Sequence, residues 1–165
     1  MKRVPFIFTL GCILIATGCG TTRSWFGNME IYDPKADGER QLAAALTQAK
    51  RDGKRVLLSL GANWCSDSQA MFRLLQTDPA IQRELAAHYV LAMVDADQQG
   101  EPARNTNTLA RFGEPLARGI PVLLVLTPDG KLLNDDATER LADSDHAHPE
   151  RVLAYLRKWA AAGTP

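Results

Sequence analysis

Hydrophobic positions along the chain follow two spacings, which together predict a regular succession of helices and strands. Apolar residues recur every three or four positions over 39–52, as on one face of an amphipathic helix, and the pair Asp52-Gly53 ends that pattern. The run 56–60 is short and almost wholly apolar, which is typical of a buried strand. The same reasoning predicts helices over 66–75, from Pro79 onward, over 103–112 and over 149–162, and strands over 89–95, 121–126 and 131–133.

The order of these elements, α-β-α-α-β-α-β-β-α, predicts the fold class. Helices alternate with buried strands, and the turn pair Asp129-Gly130 joins the last two strands as a hairpin. This arrangement favours an α/β sandwich, in which helices flank both faces of a central mixed sheet.

The first residues have the pattern of an export signal. Lys2 and Arg3 precede the apolar stretch 4–16, which is too short for a permanent membrane-spanning helix but fits the hydrophobic region of a secretory signal. Small residues then lead into Cys19. This junction resembles the lipobox of bacterial lipoproteins, in which the cysteine receives a diacylglycerol and the preceding peptide is removed.

The lipobox resemblance implies three parts: a lipoprotein signal peptide (1–18), a lipidated Cys19 with a tether (19–38) and a folded domain (39–165). Two or more acyl chains hold a protein stably at a membrane. Gly20 follows the cysteine, where an aspartate would suggest retention at the inner membrane. We therefore expect a bacterial envelope protein, lipid-anchored in the outer membrane and facing the periplasm. A plain cleaved signal and an uncleaved anchor are the alternatives.

Charge and cysteine content narrow the possible functions. The 19 Lys and Arg residues are balanced by 19 Asp and Glu residues, so the charge gives no reason to expect a nucleic-acid partner, whose phosphates require a basic surface. Cys12 lies in the predicted signal peptide and Cys19 is assigned to lipid, which leaves Cys65 as the free thiol in an oxidising compartment. Such an odd cysteine is either reactive or buried and inert.

The position of Cys65 gives its thiol a chemical rationale. A predicted strand, a short loop and a predicted helix place Cys65 at a helix N-terminus, within Trp64-Cys65-Ser66-Asp67-Ser68. Unpaired backbone N–H groups and the positive end of the helix dipole favour the thiolate there. Because the thiolate is the nucleophile in disulfide exchange, the sequence indicates chemistry of that kind.

These features together resemble the thioredoxin superfamily. The sequence Trp64-Cys65-x-x-Ser68 is similar to the Trp-Cys-x-x-Cys motif of that family, and it follows a comparable strand. The resemblance covers 39–162 and implies that the domain 39–165 is a thioredoxin-like three-layer sandwich.

A second matching segment lies before the strand 121–126. Its sequence Gly119-Ile120-Pro121 is similar to the region around the cis-proline of the family. The resemblance implies that Pro121 is cis and faces Cys65, and that the backbone of Ile120 pairs with an extended substrate. Trp64 is expected to shape the lip of this substrate-binding site.

Two residues depart from the family pattern. Ser68 replaces the second cysteine, so Cys65 cannot form a disulfide within the motif, and Ser59 replaces a buried aspartate that assists the second thiol in many thioredoxins. We expect Cys65 to form mixed disulfides with protein or small-molecule partners, released by another thiol. Ser68 is expected to donate a hydrogen bond from its hydroxyl to the Cys65 thiolate.

Three functions remain open at this point. The first is thiol–disulfide exchange or isomerisation by one cysteine. The second is a redox-inactive binding or envelope-assembly lipoprotein that holds a peptide beside Pro121, and the third is an oxidant sensor that forms a sulfenic acid at Cys65. We expect no organic cofactor, because the sequence shows no Gly-rich phosphate-binding loop. We also expect no metal, because the His and Asp residues over 143–148 favour a solvated loop over a metal site.

Overall fold

The computed structural model describes residues 30–113, 115–117, 119–134 and 140–161. The predicted signal peptide 1–18 and the lipidation of Cys19 lie outside these residues. The helices are α1 (Gly38–Asp52), α2 (Ser66–Thr77), α3 (Pro79–His88), α4 (Thr106–Ala110) and α5 (Pro149–Ala161), and the strands are β1 (Arg55–Gly61), β2 (Tyr89–Asp95), β3 (Val122–Leu126) and β4 (Leu141–Ala142). None of the helices found over these ranges has the length and apolar character needed to cross a bilayer.

The strands form one mixed sheet in the order β2-β1-β3-β4. β1 runs parallel to β2, with Arg55 opposite Tyr89 and Gly61 opposite Asp95, and antiparallel to β3. All of β3 and all of β1 beyond Arg55 are buried, as expected for central strands covered on both faces. The predicted α/β sandwich with a central mixed sheet is confirmed.

Alternate residues of β1 supply the two halves of the core. Val56, Leu58 and Leu60 lie in the hydrophobic cluster that includes α1 residues, whereas Leu57 lies in the cluster that includes residues of α2, α3 and α5. Ser59 has the same parity as Leu57 and is 1% exposed. A buried hydroxyl therefore occupies the middle of an otherwise apolar strand, on the α2 side of the sheet.

The helix predicted over 103–112 is shorter than expected. Asn105 has a left-handed backbone (φ 50°), so α4 begins only at the next residue. The Asn105 side chain explains this conformation: it accepts a hydrogen bond from Gly38 N (2.8 Å) and donates one to Asp95 O (2.9 Å). Asn105 thus joins the start of α1 to the end of β2, and this tertiary contact overrides the local helical pattern.

The strand predicted over 131–133 is reduced to one bridge, between Leu126 and Leu132. The turn itself is present, because Thr127 N donates to Lys131 O at 2.9 Å. Beyond it, Leu133 N donates to Val125 O at 2.8 Å, and the side chain of Asn134 then continues the pairing: it accepts from Val125 N (2.8 Å) and donates to Leu123 O (3.0 Å). The edge of β3 is completed by β4, a two-residue strand that the sequence pattern did not indicate.

Candidate active site

Cys65 lies at the junction between β1 and α2. It is the N-cap residue of α2, with an extended backbone (φ −80°, ψ 116°), and its sulfur accepts a hydrogen bond from Ser68 N at 3.5 Å. This contact uses one of the unpaired N–H groups of the first helical turn. The structure therefore places the thiol at a helix N-terminus, as predicted.

The second contact of the Cys65 thiol comes from the segment before β3. The thiol donates to the carbonyl oxygen of Ile120 at 3.4 Å, and the Ile120–Pro121 peptide bond is cis. Ile120 is half-buried, Pro121 is buried, and Cys65 is 8% exposed. A thiolate cannot donate to Ile120, so ionisation keeps the Ser68 contact, loses the Ile120 contact and frees the sulfur for an incoming group.

Trp64 is the large apolar residue that the described chain exposes, at 52%. Its side chain lies near Asp97, which accepts hydrogen bonds from the backbone N–H groups of Gln99 and Gly100. Burial favours the neutral acid, but these hydrogen bonds and the charge of Arg104 outweigh it and hold the pKa of Asp97 below its ordinary value. An ionised carboxylate thus lies near the indole beside Cys65.

The Ser68 side chain has a different contact from the one expected. Ser68 is fully buried, and its hydroxyl accepts a hydrogen bond from Ala62 N at 3.4 Å and lies next to the Tyr32 hydroxyl. The contact from Ser68 to Cys65 comes from the backbone N–H instead. The hydroxyl is directed beneath the active-site turn, where it links α2 to the end of β1.

Tyr32 completes a buried cluster of hydroxyl groups under Cys65. Its hydroxyl lies 3.0 Å from Ser59 Oγ and next to the Ser68 hydroxyl, and its side chain is fully buried. Burial raises the pKa of Tyr32 to about 12, although the Ser59 and Ser68 hydroxyls act in the opposite direction. The cluster is therefore uncharged at neutral pH.

Asn63 attaches the Tyr32 segment to the active-site turn. Its side-chain oxygen accepts hydrogen bonds from Ile31 N and Tyr32 N, both at 2.9 Å, and its amide donates to Tyr32 O at 2.7 Å. Sequence reasoning did not identify Tyr32 as part of the site and left it within the tether 19–38. The available signal was the serine within the apolar strand 56–60, since a buried hydroxyl needs a polar partner.

Asp145, His146 and His148 make separate contacts. Asp145 pairs with Arg151 at 2.8 Å, and His148 lies 3.4 Å from Glu150. His146 lies 3.9 Å from Asp67, in the first turn of α2. Within the residues placed by the structure, no group of three or more potential ligands has the geometry to hold a metal ion.

Comparison with known sequences agrees with this arrangement. A thioredoxin-like family pattern matches residues 37–128, more than half of the chain. The chain is 35% identical over 95 residues to the thiol:disulfide interchange protein DsbD 1 of Pseudomonas aeruginosa, a match that covers 58% of this chain and 15% of that protein. It is 31% identical over 78 residues to DsbD of Haemophilus ducreyi, covering 47% of this chain and 13% of that protein. The chain thus spans less than a sixth of these curated relatives.

Solved structures share the fold over most of their length. The disulphide isomerase of Xylella fastidiosa Temecula1 matches with a TM-score of 0.67 and 30% identity, over 78% of this chain and 95% of that one. A thioredoxin of Thermus thermophilus matches with a TM-score of 0.56 and 24% identity, over 74% and 85% of the two chains. The chain belongs to the thioredoxin-like family.

Proposed function

We propose that this protein is a thiol–disulfide exchange protein of the bacterial envelope that works through one cysteine, Cys65. The observation that carries the proposal is the pair of contacts at the sulfur. Ser68 N–H stabilises the thiolate, while the carbonyl of Ile120, beside Pro121, holds the protonated thiol next to the proposed substrate-binding backbone. Trp64 provides an exposed apolar surface at the same site.

The proposed cycle needs no cofactor. The Cys65 thiolate attacks one sulfur of a substrate disulfide, that S–S bond breaks, and the displaced sulfur leaves as a thiolate that takes up a proton. A second thiol, on the substrate or on an outside partner, attacks the resulting mixed disulfide and returns Cys65 as a thiolate. The net result is exchange of one disulfide for another, without net oxidation of Cys65.

The rate of Cys65 alkylation tests this proposal. The full chain in detergent is treated with iodoacetamide over a pH series, and labelling at Cys65 is followed by peptide mass spectrometry so that other cysteines do not interfere. We expect Cys65 at neutral pH to be labelled faster than the cysteine of an unstructured peptide treated in the same way. Labelling slower than that of the peptide contradicts the exchange function.

A redox-inactive binding protein is the second candidate, favoured by the low exposure of Cys65 (8%). In that function the Cys65 thiol stays hydrogen-bonded to the carbonyl oxygen of Ile120, and the surface beside Pro121 binds a peptide. Replacement of Cys65 by serine distinguishes the two candidates. Loss of mixed-disulfide adducts together with loss of the cellular role supports exchange, whereas an intact cellular role supports binding alone.

We further propose that a lipid on Cys19 anchors the protein in the outer membrane, facing the periplasm. The proposal is supported by the basic, apolar and small-residue pattern that ends at this cysteine. Cys19→Ala is expected to abolish incorporation of labelled fatty acid and to release the protein from the membrane fraction. Cys12→Ala, in the preceding segment, is the matched control and leaves both unchanged. Fatty-acid labelling that persists in Cys19→Ala contradicts the anchor.

A further inference from the structure

Tyr32 lies before α1, yet its side chain ends directly beneath the active-site turn. The ring and hydroxyl are fully buried, as are Ser59, to which the hydroxyl bonds, and Ser68, whose hydroxyl lies next to it. Ser59 belongs to β1 and Ser68 to the first turn of α2. One phenol hydroxyl therefore lies next to both the strand and the helix whose junction carries Cys65.

The space for this hydroxyl depends on Gly61, the last residue of β1. A Cβ atom built at Gly61 would lie 2.7 Å from Ser68 Oγ and closer still to the Tyr32 hydroxyl. Any side chain at position 61 would therefore displace one of the two groups. The end of β1 therefore has room for the hydroxyl groups of Tyr32 and Ser68 only because residue 61 is glycine, which makes their placement a specific feature of the site.

The backbone of Tyr32 is held as firmly as its side chain. Asn63 makes three hydrogen bonds to Ile31 and Tyr32, and the Asn63 carbonyl accepts from the Gln69 side chain at 2.6 Å. Because Asn63 precedes Trp64 and Gln69 lies in α2, these bonds enclose the Cys65 turn on both sides. Movement of the Tyr32 segment is thereby coupled to the turn that carries the thiol.

We infer that Tyr32 is a positioning residue for Cys65, acting through the first turn of α2, where its hydroxyl lies beside the Ser68 side chain while the Ser68 N–H donates to the sulfur. The inference rests on the proposed exchange function and adds a device that orients its nucleophile. Since the cluster is uncharged at neutral pH, Tyr32 acts by fixing the first turn of α2 and not by exchanging protons with the thiol. A buried neutral hydroxyl cluster occupies the place where the family resemblance puts a buried aspartate.

Tyr32→Phe removes only the hydroxyl and is the direct test. In the full chain in detergent, we expect the alkylation profile of Cys65 to move to higher pH by about 0.5–1 unit, the worth of one hydrogen bond. Labelling with iodoacetamide at neutral pH slows by about threefold to tenfold. Ser59→Ala, which removes a more distant member of the cluster, shifts the profile in the same direction by less.

Tyr89→Phe is the matched control. Tyr89 is also buried, and its hydroxyl donates to Leu156 O at 2.6 Å. Tyr89 lies opposite Arg55, at the end of β1 remote from the Cys65 turn. Its loss lowers stability without moving the Cys65 profile. If Tyr32→Phe and Tyr89→Phe leave the profile equally unchanged, or move it equally, the inference is overturned. If Tyr32→Phe does not fold, the Ser59→Ala profile decides in the same way.

A separate measurement keeps the inference distinct from the exchange function. Exchange is assayed with a peptide disulfide as the probe, alongside alkylation of the same samples. A wild-type protein that does not exchange, but whose alkylation shifts in Tyr32→Phe, refutes the exchange function and supports the positioning role. A wild-type protein that exchanges while Tyr32→Phe alkylates at the wild-type pH refutes the positioning role alone.

Discussion

At the scale of residues, the site differs from a two-cysteine motif at one side chain. Ser68 occupies the third residue after Cys65, and its backbone N–H lies 3.5 Å from the sulfur. The side chain at position 68 therefore begins next to the thiol, although its hydroxyl points down toward Ala62 and Tyr32. A single exchange of oxygen for sulfur at this position is enough to change the chemistry.

Ser68→Cys is expected to form an intramolecular disulfide with Cys65 under mild oxidation. The first turn of α2 brings the two residues together, and the new thiol is able to attack a mixed disulfide at Cys65 and release the partner. Intact-mass measurement detects the loss of two hydrogens, and trapped adducts become rare. Ser66→Cys, at an exposed position in the same turn, is the control and forms no such bond. If the introduced thiol stays reduced while the adduct at Cys65 persists, the expected geometry is wrong.

At the scale of elements, the hydrophobic pattern predicted the bounds of helices and strands correctly where local sequence determines them. β2 extends over the predicted 89–95, and α2 begins at the predicted Ser66 because apolar spacing and end signals agree there. Pattern failed where a side chain continues the backbone pairing. The amide of Asn134 bonds to both Val125 and Leu123, and neither bond has any local trace in the sequence. Two-residue strands such as β4 are likewise below what periodicity can indicate.

The candidate site, like the fold, could be predicted from the sequence only in part. The thiol at a helix N-terminus follows from strand, loop and helix in order, and the segment at Ile120 follows from the family resemblance. The contribution of Tyr32 does not, because its partners Ser59 and Ser68 are distant in sequence and the fold alone brings them together. Nothing in the local pattern around Tyr32 distinguishes it from a residue at the edge of the domain.

At the scale of the whole molecule, the segment before α1 is part of the domain and also the connection to the proposed anchor. From a lipid on Cys19, a fully extended chain reaches Tyr32 within roughly 45 Å, which sets the greatest distance between the membrane and the active-site turn. Asn63 and the hydroxyl cluster bind Tyr32, so the segment that leads to the proposed anchor is attached to the domain next to the turn that carries the thiol. Docking of this segment therefore contributes to the stability of the whole domain.

The alkaline stability of the protein measures that contribution. Below pH 10, Tyr32 is protonated in both folded and unfolded chains. Between pH 10 and about 12, Tyr32 loses its proton in the unfolded chain but keeps it in the folded chain. The free energy of unfolding therefore falls as pH rises through this range. Tyr32→Phe lacks this loss, and wild type is expected to lose about 1 kcal/mol more than the variant between pH 9 and pH 11. Urea denaturation at the two pH values gives the difference. Parallel loss in both proteins would mean that Tyr32 ionises freely and that its segment is not docked beneath Cys65.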